Sequence, residues 1–241
     1  MRHYGIIGYP LLHSFSAKYF NKKFLAEKID AEYSLYSISG EELHRIAEYV
    51  DRLDGMNVTF PYKQTIIPYL DSLDETAATI GAVNVVYKKK GYNTDCLGFI
   101  ESIKPLLRKY DRRALVLGTG GASKAVCYGL QKLGIDVTLV SRKPQETIIG
   151  YDAIDAAVMS EHTLLINCTP LGMLPDVDTC PPIPYELVCE KHLLYDCVYN
   201  PAETLFLRRG KMQGAAICNG IKMLYGQAEA AWKIWNEEKI K

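Results

Sequence analysis

Short apolar runs rich in β-branched residues alternate with stretches of helical period along nearly the whole chain of 241 residues. This alternation is typical of βαβ units around a mainly parallel sheet, so we expect an α/β fold. Strands are predicted at 4–8, 32–38, 56–60, 83–87, 114–118, 136–140, 164–168, 194–199 and 215–218. Residues 88–91 have the composition of a turn, which predicts one antiparallel pair in the first half.

A boundary between two domains is predicted near residue 100. A helical stretch from about 96 to 110, interrupted by Pro105, leads into a basic cluster, and a strand with a glycine-rich turn begins afresh after it. We assign residues 1–100 and 220–241 to one domain and 101–219 to the other. The last helix, about 220–239, is expected to return to the first domain.

Charge and cysteine usage narrow the classes of partner. The 28 basic and 28 acidic side chains balance, so nothing draws the whole protein onto nucleic acid or an anionic membrane, and we expect a small-molecule ligand. No apolar run has the length of a membrane helix or the form of a signal peptide, which favours the cytoplasm. The seven cysteines and five histidines lack metal-site spacing, so we expect reduced thiols and no metal. We expect a monomer or a homodimer.

The turn after the strand at 114–118 has the composition of a dinucleotide site. Its residues are Gly118, Thr119, Gly120, Gly121 and Ala122, followed by a helix. Glycines allow a tight turn and a close approach of backbone N–H groups to a pyrophosphate at the helix N-terminus. Taken alone, they could also form an ordinary turn.

The next strand predicts which dinucleotide is bound. It ends in Ser141, Arg142 and Lys143, where binders of NAD carry an acidic residue for the ribose hydroxyls. Two cations and a hydroxyl suit a 2′-phosphate instead, so we predict NADP as the cofactor. The alternative is that Arg142 and Lys143 belong to a solvated loop.

Polar residues in the first half predict a binding surface. Ser14 and Ser16 stand at a helix start, where they could cap the helix or hold a carboxylate. Asn57 and Thr59 share one face of a strand. Pro61 is expected to open a helix with Lys63 in its first turn, either as a solvated lysine or as an acid-base group.

Two further polar groups belong to this surface. Asn84 is predicted inside a strand, and Asp95 comes just before a helix that it could also cap. Since ligands of α/β sheets bind where the strands end, Asn57, Thr59, Asn84 and Asp95 together suit a polyhydroxylated substrate.

In sequence order, these segments resemble the shikimate dehydrogenase family over both halves of the chain. The matching motifs are HSxS at 13–16, NVTxPxK at 57–63, IGAVN at 80–84, NTDxxG at 93–98, GxGGA at 118–122, NxTPxGM at 167–173, DxxYxP at 196–201 and GxxMLxxQ at 220–227. The resemblance implies a substrate domain and a Rossmann-like NADP domain. It also implies reversible reduction of 3-dehydroshikimate to shikimate by NADPH.

The resemblance assigns roles by motif position. Lys63 and Asp95 would be the catalytic pair, and the sequence leaves open which is the formal acid or base. Substrate would contact Ser14, Ser16, Asn57, Thr59, Asn84, Tyr199 and Gln227. The cofactor would contact the turn at 118–122, the segment at 141–143, and Asn167, Thr169 and Met173.

The chain departs from the family pattern at the predicted 2′-phosphate site. The family usually shows Asn-Arg-Thr and then a second arginine, whereas this chain has Ser141, Arg142 and Lys143, with Glu146 near the place of that arginine. A quinate/shikimate dehydrogenase with relaxed cofactor choice therefore stays an alternative. A non-catalytic NADP-binding regulator is a second alternative, against which Lys63 and Asp95 argue.

Overall fold

The computed structural model describes residues 1–237, which divide into two compact units. The first unit comprises Met1–Thr94 and the chain from Ala228 onward, and the second comprises Asp95–Gln227. The domain limits predicted from the sequence, at 100/101 and 219/220, stay a prediction. Residues 238–241, which the sequence assigns to the first domain and in part to the last helix, lie outside the described residues.

The first unit contains a six-stranded mixed sheet. Its strands are β1 (Arg2–Gly8), β2 (Ala31–Ser37), β3 (Gly55–Val58), β4 (Ser72–Leu73), β5 (Val85–Tyr87) and β6 (Lys90–Tyr92), and their spatial order is β2-β1-β3-β5-β6-β4. Strand β1 pairs in parallel with β2 and β3, whereas β5 is antiparallel to β3 and β6. Helices of this unit are α1 (Phe15–Ala26), α2 (Ile46–Arg52) and α3 (Glu75–Ile80).

Alternating side chains of β1 serve two cores, one on each face of this sheet. Ile7 belongs to a core with residues of α2 and β3, whereas Tyr4 and Ile6 belong to a core with α1 and the C-terminal helix. This alternation is what the pleat of a strand buried on both faces requires. In the second core, Trp235 lies 4.9 Å from Tyr4 between ring centroids.

The second unit contains a six-stranded parallel sheet. Its strands are β7 (Arg113–Leu117), β8 (Asp136–Val140), β9 (Ile148–Ile149), β10 (Leu164–Asn167), β11 (Leu193–Asp196) and β12 (Ala216–Asn219), and their order is β12-β11-β10-β7-β8-β9. The order reverses between β7 and β10, as in doubly wound dinucleotide-binding sheets. The helices are α4 (Asp95–Ile103), α5 (Gly121–Lys132), α6 (Ala156–Glu161), α7 (Leu205–Met212) and α8 (Ile221–Trp235), whose second half belongs to the first unit. The predicted α/β class is confirmed.

The predicted helix at Pro61 is wrong. Residues 60–66 form successive turns, and a short 3₁₀ segment follows only at Ile67–Tyr69. The carbonyl of Lys63 accepts a hydrogen bond of 2.7 Å from the backbone N–H of Val83. The Lys63 carbonyl thus accepts from a neighbouring segment and not from a later residue of a helix. Lys63 is therefore not in the first turn of a helix.

The prediction that Asn84 lies inside a strand is also wrong, since β5 begins at the next residue, Val85. The backbone carbonyl of Asn84 accepts a hydrogen bond of 2.9 Å from Val58 N, one residue beyond the part of β3 that pairs with β5. Because β5 runs antiparallel to β3, the amino end of β5 meets the carboxyl end of β3. Asn84 therefore stands at the same sheet edge as Asn57.

Candidate functional site

The two serines at the start of α1 differ in their surroundings. Ser14 occupies the N-cap position in an extended conformation, yet its side chain makes no capping hydrogen bond. Ser16 is buried in the first turn, and its hydroxyl acts on the Tyr33 hydroxyl so as to lower the pKa of that phenol, against the larger effect of burial. The structure thus assigns no capping role to the Ser14 hydroxyl, which favours the alternative of a carboxylate site at this positive helix end.

Tyr33 of β2 connects Ser16 to Asn57. Its hydroxyl donates a hydrogen bond of 2.6 Å to Asn57 Oδ1, and burial raises the pKa of Tyr33 well above its ordinary value. The phenol therefore remains protonated and serves as a fixed donor. Sequence analysis missed Tyr33, because it belongs to none of the quoted motifs and alternates along its strand like any core aromatic.

Hydrogen bonds continue from Asn57 to Thr94. Asn57 Nδ2 donates to the carbonyl oxygen of Asn84 at 3.2 Å. Asn84 Oδ1 accepts from Thr94 N at 2.7 Å, and Asn84 Nδ2 donates to Thr94 Oγ1 at 3.0 Å. Two predicted substrate residues, Asn57 and Asn84, therefore belong to one network with Thr94 of a third motif at one edge of the first sheet.

Thr59 and Lys63 follow β3 at this edge. Thr59 N donates to Ile7 O at 2.9 Å, which places the residue beside the end of β1. Both side chains are half-buried. The structure thus places these predicted residues in the segment that leaves the carboxyl end of β3.

Asp95 and Gln227 are predicted substrate contacts that belong to the second unit. Asp95 is buried as the first residue of α4, where the positive end of the helix dipole favours its carboxylate. Gln227 is buried on α8. A Cβ at Gly98 of α4 would meet Met223 O at 2.4 Å and Gln227 N at 2.8 Å, so this glycine permits α4 and α8 to cross closely. The crossing brings Gln227 next to the helix that begins with Asp95.

The glycine turn between β7 and α5 has the shape that a pyrophosphate requires. Gly118 has φ of 104°, and a Cβ there would lie 2.9 Å from Thr169 Cγ2. Gly120 is the N-cap of α5 without a side-chain cap, and a Cβ there would meet no atom within 4 Å. Thr119 beside it is exposed, and Gly121 and Ala122 lie in the first helical turn. Residues 118–122 therefore form a cradle, a concave turn that is open to a ligand. These residues fit a dinucleotide.

The carboxyl end of β8 carries the predicted 2′-phosphate residues. Ser141 Oγ accepts a hydrogen bond of 3.1 Å from Lys143 N, which closes a tight turn. Arg142, Lys143 and Glu146 are all exposed in this segment. Two cations at the second strand of the sheet fit a phosphate group on the adenosine ribose.

Asn167, at the end of β10, forms hydrogen bonds with other residues of the second unit. It is fully buried, and its Oδ1 accepts hydrogen bonds from Thr169 N at 2.9 Å and Thr169 Oγ1 at 2.6 Å. Its Nδ2 donates to Asp196 Oδ1 at 2.9 Å. Asn167 therefore shapes the loop that carries half-buried Thr169 and exposed Met173, and its direct contact with a cofactor stays a prediction.

Asp196, at the end of β11, received no role from the sequence although it opens the DxxYxP motif. It is fully buried, and burial raises the pKa of this carboxyl to about 6 against the lowering effect of three hydrogen bonds. Tyr199 follows three residues later with 39% of its surface exposed. Burial raises the pKa of Tyr199 above the ordinary tyrosine value.

The part of the chain that the structure describes shows no group of three or more His, Cys, Asp or Glu side chains able to hold a metal ion. Within residues 1–237, no helix combines the length and the apolar character needed to cross a membrane.

Known proteins match both halves of the chain. Residues 6–86 match the family model of the shikimate dehydrogenase substrate binding domain. A shikimate dehydrogenase (NADP(+)) of Clostridium beijerinckii is 40% identical, over 98% of this chain and 93% of its own. The solved shikimate dehydrogenase of Aquifex aeolicus is 34% identical, with a TM-score of 0.87 over 100% of this chain and 94% of its own. The solved shikimate 5-dehydrogenase of Thermus thermophilus, in complex with NADP(H) and shikimate, is 30% identical, with a TM-score of 0.87 over 100% and 95%.

Proposed function

The chain belongs to the shikimate dehydrogenase family, and on that premise we propose how its residues carry out the reversible NADPH-dependent reduction of 3-dehydroshikimate to shikimate. The hydrogen-bond network from Tyr33 through Asn57 and Asn84 to Thr94 is the observation that carries the proposal. It holds polar groups of separate motifs at one sheet edge, as recognition of a small polyhydroxylated acid requires.

The substrate carboxylate binds at the start of α1 in this proposal. The hydroxyls of Ser14 and Ser16 can both donate to it, and the helix N-terminus adds a favourable electrostatic contribution. The ring hydroxyls bind Asn57, Thr59, Asn84 and Gln227, whose amide and hydroxyl groups both donate and accept. The carboxylate thereby fixes which ring carbon reaches the chemical groups.

Lys63 and Asp95 act on the reacting oxygen. NADPH, when bound, supplies a hydride to the carbonyl carbon, and negative charge develops on the oxygen. The Lys63 ammonium stabilises that charge and donates a proton to it, and in the reverse direction the amine accepts the proton from the hydroxyl. The Asp95 carboxylate orients the ammonium and the substrate hydroxyl.

NADP binds the second unit in this proposal. The turn at 118–122 would hold the pyrophosphate, and Ser141, Arg142 and Lys143 would hold the 2′-phosphate. Thr169, Met173 and Tyr199 stand on the loops after β10 and β11, on the side where ligands of such sheets bind. We propose that these three residues line the nicotinamide end.

Replacement of Lys63 tests the mechanism. In Lys63→Met, we expect kcat for oxidation of shikimate, followed as NADPH absorbance, to fall by about 100-fold or more, because the proton acceptor is lost. Binding of shikimate, measured by calorimetry, should stay within about threefold, since Met keeps the length of the chain. Lys22→Met, at an exposed lysine of α1, is the control. Unchanged kcat in Lys63→Met would remove Lys63 from the mechanism.

A quinate/shikimate dehydrogenase with relaxed cofactor choice remains the second candidate, because Glu146 is exposed in the same segment as Arg142. Turnover of shikimate and quinate with NADP and with NAD separates the two candidates. In Arg142→Ala, we expect KM for NADP to rise by about tenfold or more and KM for NAD to change little. An equal rise for both cofactors would contradict a contact of Arg142 with the 2′-phosphate. Arg112→Ala, at an exposed arginine before β7, is the control.

A cytoplasmic location, and a monomer or homodimer in solution, stay predictions of the sequence analysis.

A further inference from the structure

Asp196 is a buried carboxylate that the proposed reaction does not use. It stands at the carboxyl end of β11, paired in register with Asn167 at the end of β10. Its side chain is fully buried, and its hydrogen-bond partners in the described structure are all neutral. For stability alone, a buried carboxylate without a cation is a poor choice, because its desolvation is not repaid by an opposite charge.

The carboxylate joins three segments of the second unit. Oδ1 accepts hydrogen bonds from Asn167 Nδ2 and from Val198 N, both at 2.9 Å. Oδ2 accepts a hydrogen bond of 2.5 Å from Thr204 Oγ1, and Thr204 is the N-cap residue of α7. The loop after β10, the turn after β11 and the start of α7 are therefore held by one side chain.

Asn167 extends this connection to the glycine turn. Because its Nδ2 is engaged by Asp196, its Oδ1 faces the loop and accepts both hydrogen bonds of Thr169. The Thr169 methyl group lies where a Cβ of Gly118 would meet it at 2.9 Å. The hydrogen bond to Val198 N fixes the residue just before Tyr199. Movement of the Asp196 carboxylate would thus change both loops that carry the proposed nicotinamide contacts.

We propose that Asp196 is a positioning residue of the cofactor site, which holds the loop at 168–173 and Tyr199 in the geometry that binds NADP. This inference rests on the proposed function and adds to it a residue that touches neither ligand. A neutral side chain of the same shape can keep two of the three hydrogen bonds, whereas a side chain without an acceptor removes all three, and Asn167 Nδ2 then keeps only its bond of 3.4 Å to Leu171 O.

Two variants at this position test the proposal. For Asp196→Ala, we expect the dissociation constant of NADP, measured by calorimetry, and KM for NADP to rise by about tenfold or more. KM for shikimate should rise by a smaller factor than KM for NADP, because Tyr199 is the one proposed substrate contact among the residues that Asp196 positions. Asp196→Asn should restore most of the affinity for NADP, since Oδ1 can still accept from Asn167 and Val198 while the amide donates to Thr204. If Asp196→Ala does not fold, Asp196→Leu gives the same comparison with an apolar side chain that branches at the same carbon.

Asp111 provides a matched control in the same unit. It is buried, accepts a hydrogen bond of 2.6 Å from Thr163 Oγ1 and lies before β7, at the opposite end of the sheet from the glycine turn. Asp111→Ala should lower the melting temperature and leave the affinity for NADP unchanged.

Three results would overturn the positioning role: NADP affinity in Asp196→Ala or Asp196→Leu equal to that of the parent, an equal loss of affinity in Asp111→Ala, or no recovery in Asp196→Asn. If the parent protein itself fails to oxidise shikimate with NADP, the proposed function fails. An active parent with any of those three results contradicts the role of Asp196 alone.

Discussion

Single buried polar residues organise the candidate site in each unit. Tyr33 joins two proposed substrate contacts, and Asp196 joins the two loops beside the proposed cofactor site. Each side chain is buried, so each lost hydrogen bond leaves a donor or acceptor without a partner and without water. Substitutions of these two residues should therefore affect different ligands.

Tyr33→Phe should weaken shikimate binding specifically. The variant removes the donor to Asn57 Oδ1 and the partner of Ser16, so both side chains can turn away from the substrate. We expect KM for shikimate to rise by about fivefold to tenfold and KM for NADP to stay unchanged in steady-state assays. Tyr36→Phe is the matched control, because Tyr36 is on the same strand and packs on Tyr49. Equal KM values for shikimate in Tyr33→Phe and the parent would contradict this role.

Asp196 should also give the protein a distinctive dependence of stability on pH. Burial raises the pKa of this carboxyl from 3.8 to about 6 in the folded state. Between these values the folded state binds more protons than the unfolded state, so the free energy of unfolding falls as pH rises. Relative to Asp196→Asn, the parent should lose about 2 kcal/mol between pH 4 and pH 6, and less than about 0.5 kcal/mol above pH 6.

Urea unfolding of the parent and of Asp196→Asn at several pH values between 4 and 7 measures this difference. The free energy of unfolding of the parent, relative to that of Asp196→Asn, should fall over this range. If this difference stays constant or rises with pH, the carboxyl is not protonated in the folded state near pH 5.

At the scale of elements, the sequence predicts most strands because their buried side chains are apolar and β-branched. Strand β8 has the predicted bounds. An antiparallel pair forms in the first half as predicted, but its second strand, β6, begins at Lys90, inside the turn predicted at 88–91. Strands β4 and β9 have two residues each and are too short to show a period. The predicted helix at Pro61 fails because a tertiary hydrogen bond to Lys63 competes with it. Local patterns carry no information on such a bond.

The same limit applies to the site. Motifs identify which polar residues belong to it, and the edge where parallel strands end predicts where they stand. Tyr33 is outside every quoted motif, and its role depends on the pairing of β2 with β1, which brings Tyr33 opposite Tyr4. Asn167 is in a motif, but its burial and its bond to Asp196 follow from the register of β10 and β11.

The turn between β7 and α5 can be tested through Gly118. Its φ of 104° strains any residue with a side chain, and a Cβ would lie 2.9 Å from Thr169 Cγ2. Gly118→Ala should raise the dissociation constant of NADP by about tenfold, because the turn and the loop with Thr169 must separate. Isothermal titration calorimetry measures the change.

Gly134→Ala separates backbone strain from this contact. Gly134 has φ of 72° in the turn after α5, and a Cβ there would meet nothing within 4 Å. We expect this variant to lose stability by about 1 kcal/mol and to bind NADP like the parent. If both variants lose NADP affinity to a similar extent, the effect of Gly118→Ala comes from backbone strain and not from the contact of its Cβ with Thr169.

At the scale of the whole molecule, the proposed substrate residues are shared between two units that have separate cores. Asp95 and Gln227 are the first and last residues of the second unit, so both stand where the chain passes from one unit to the other. Residues of the first unit supply the other proposed substrate contacts except Tyr199. Catalysis should therefore require both units to be folded, although each unit buries its own apolar residues.

Core truncations should destabilise the two units separately. Trp235 is buried in the first unit, where its Nε1 donates to Val86 O at 3.2 Å, and Phe206 is buried in the second. Each change to Ala should lower the free energy of unfolding by about 3–5 kcal/mol, because the cavity left behind collapses only partly. In Trp235→Ala, hydrogen exchange should accelerate at amides of β1 and β3 and stay slow in β7 and β10. Phe206→Ala should give the reverse pattern, measured by mass spectrometry at equal temperature. Uniform acceleration across both sheets in either variant would mean that the two units unfold as one cooperative body.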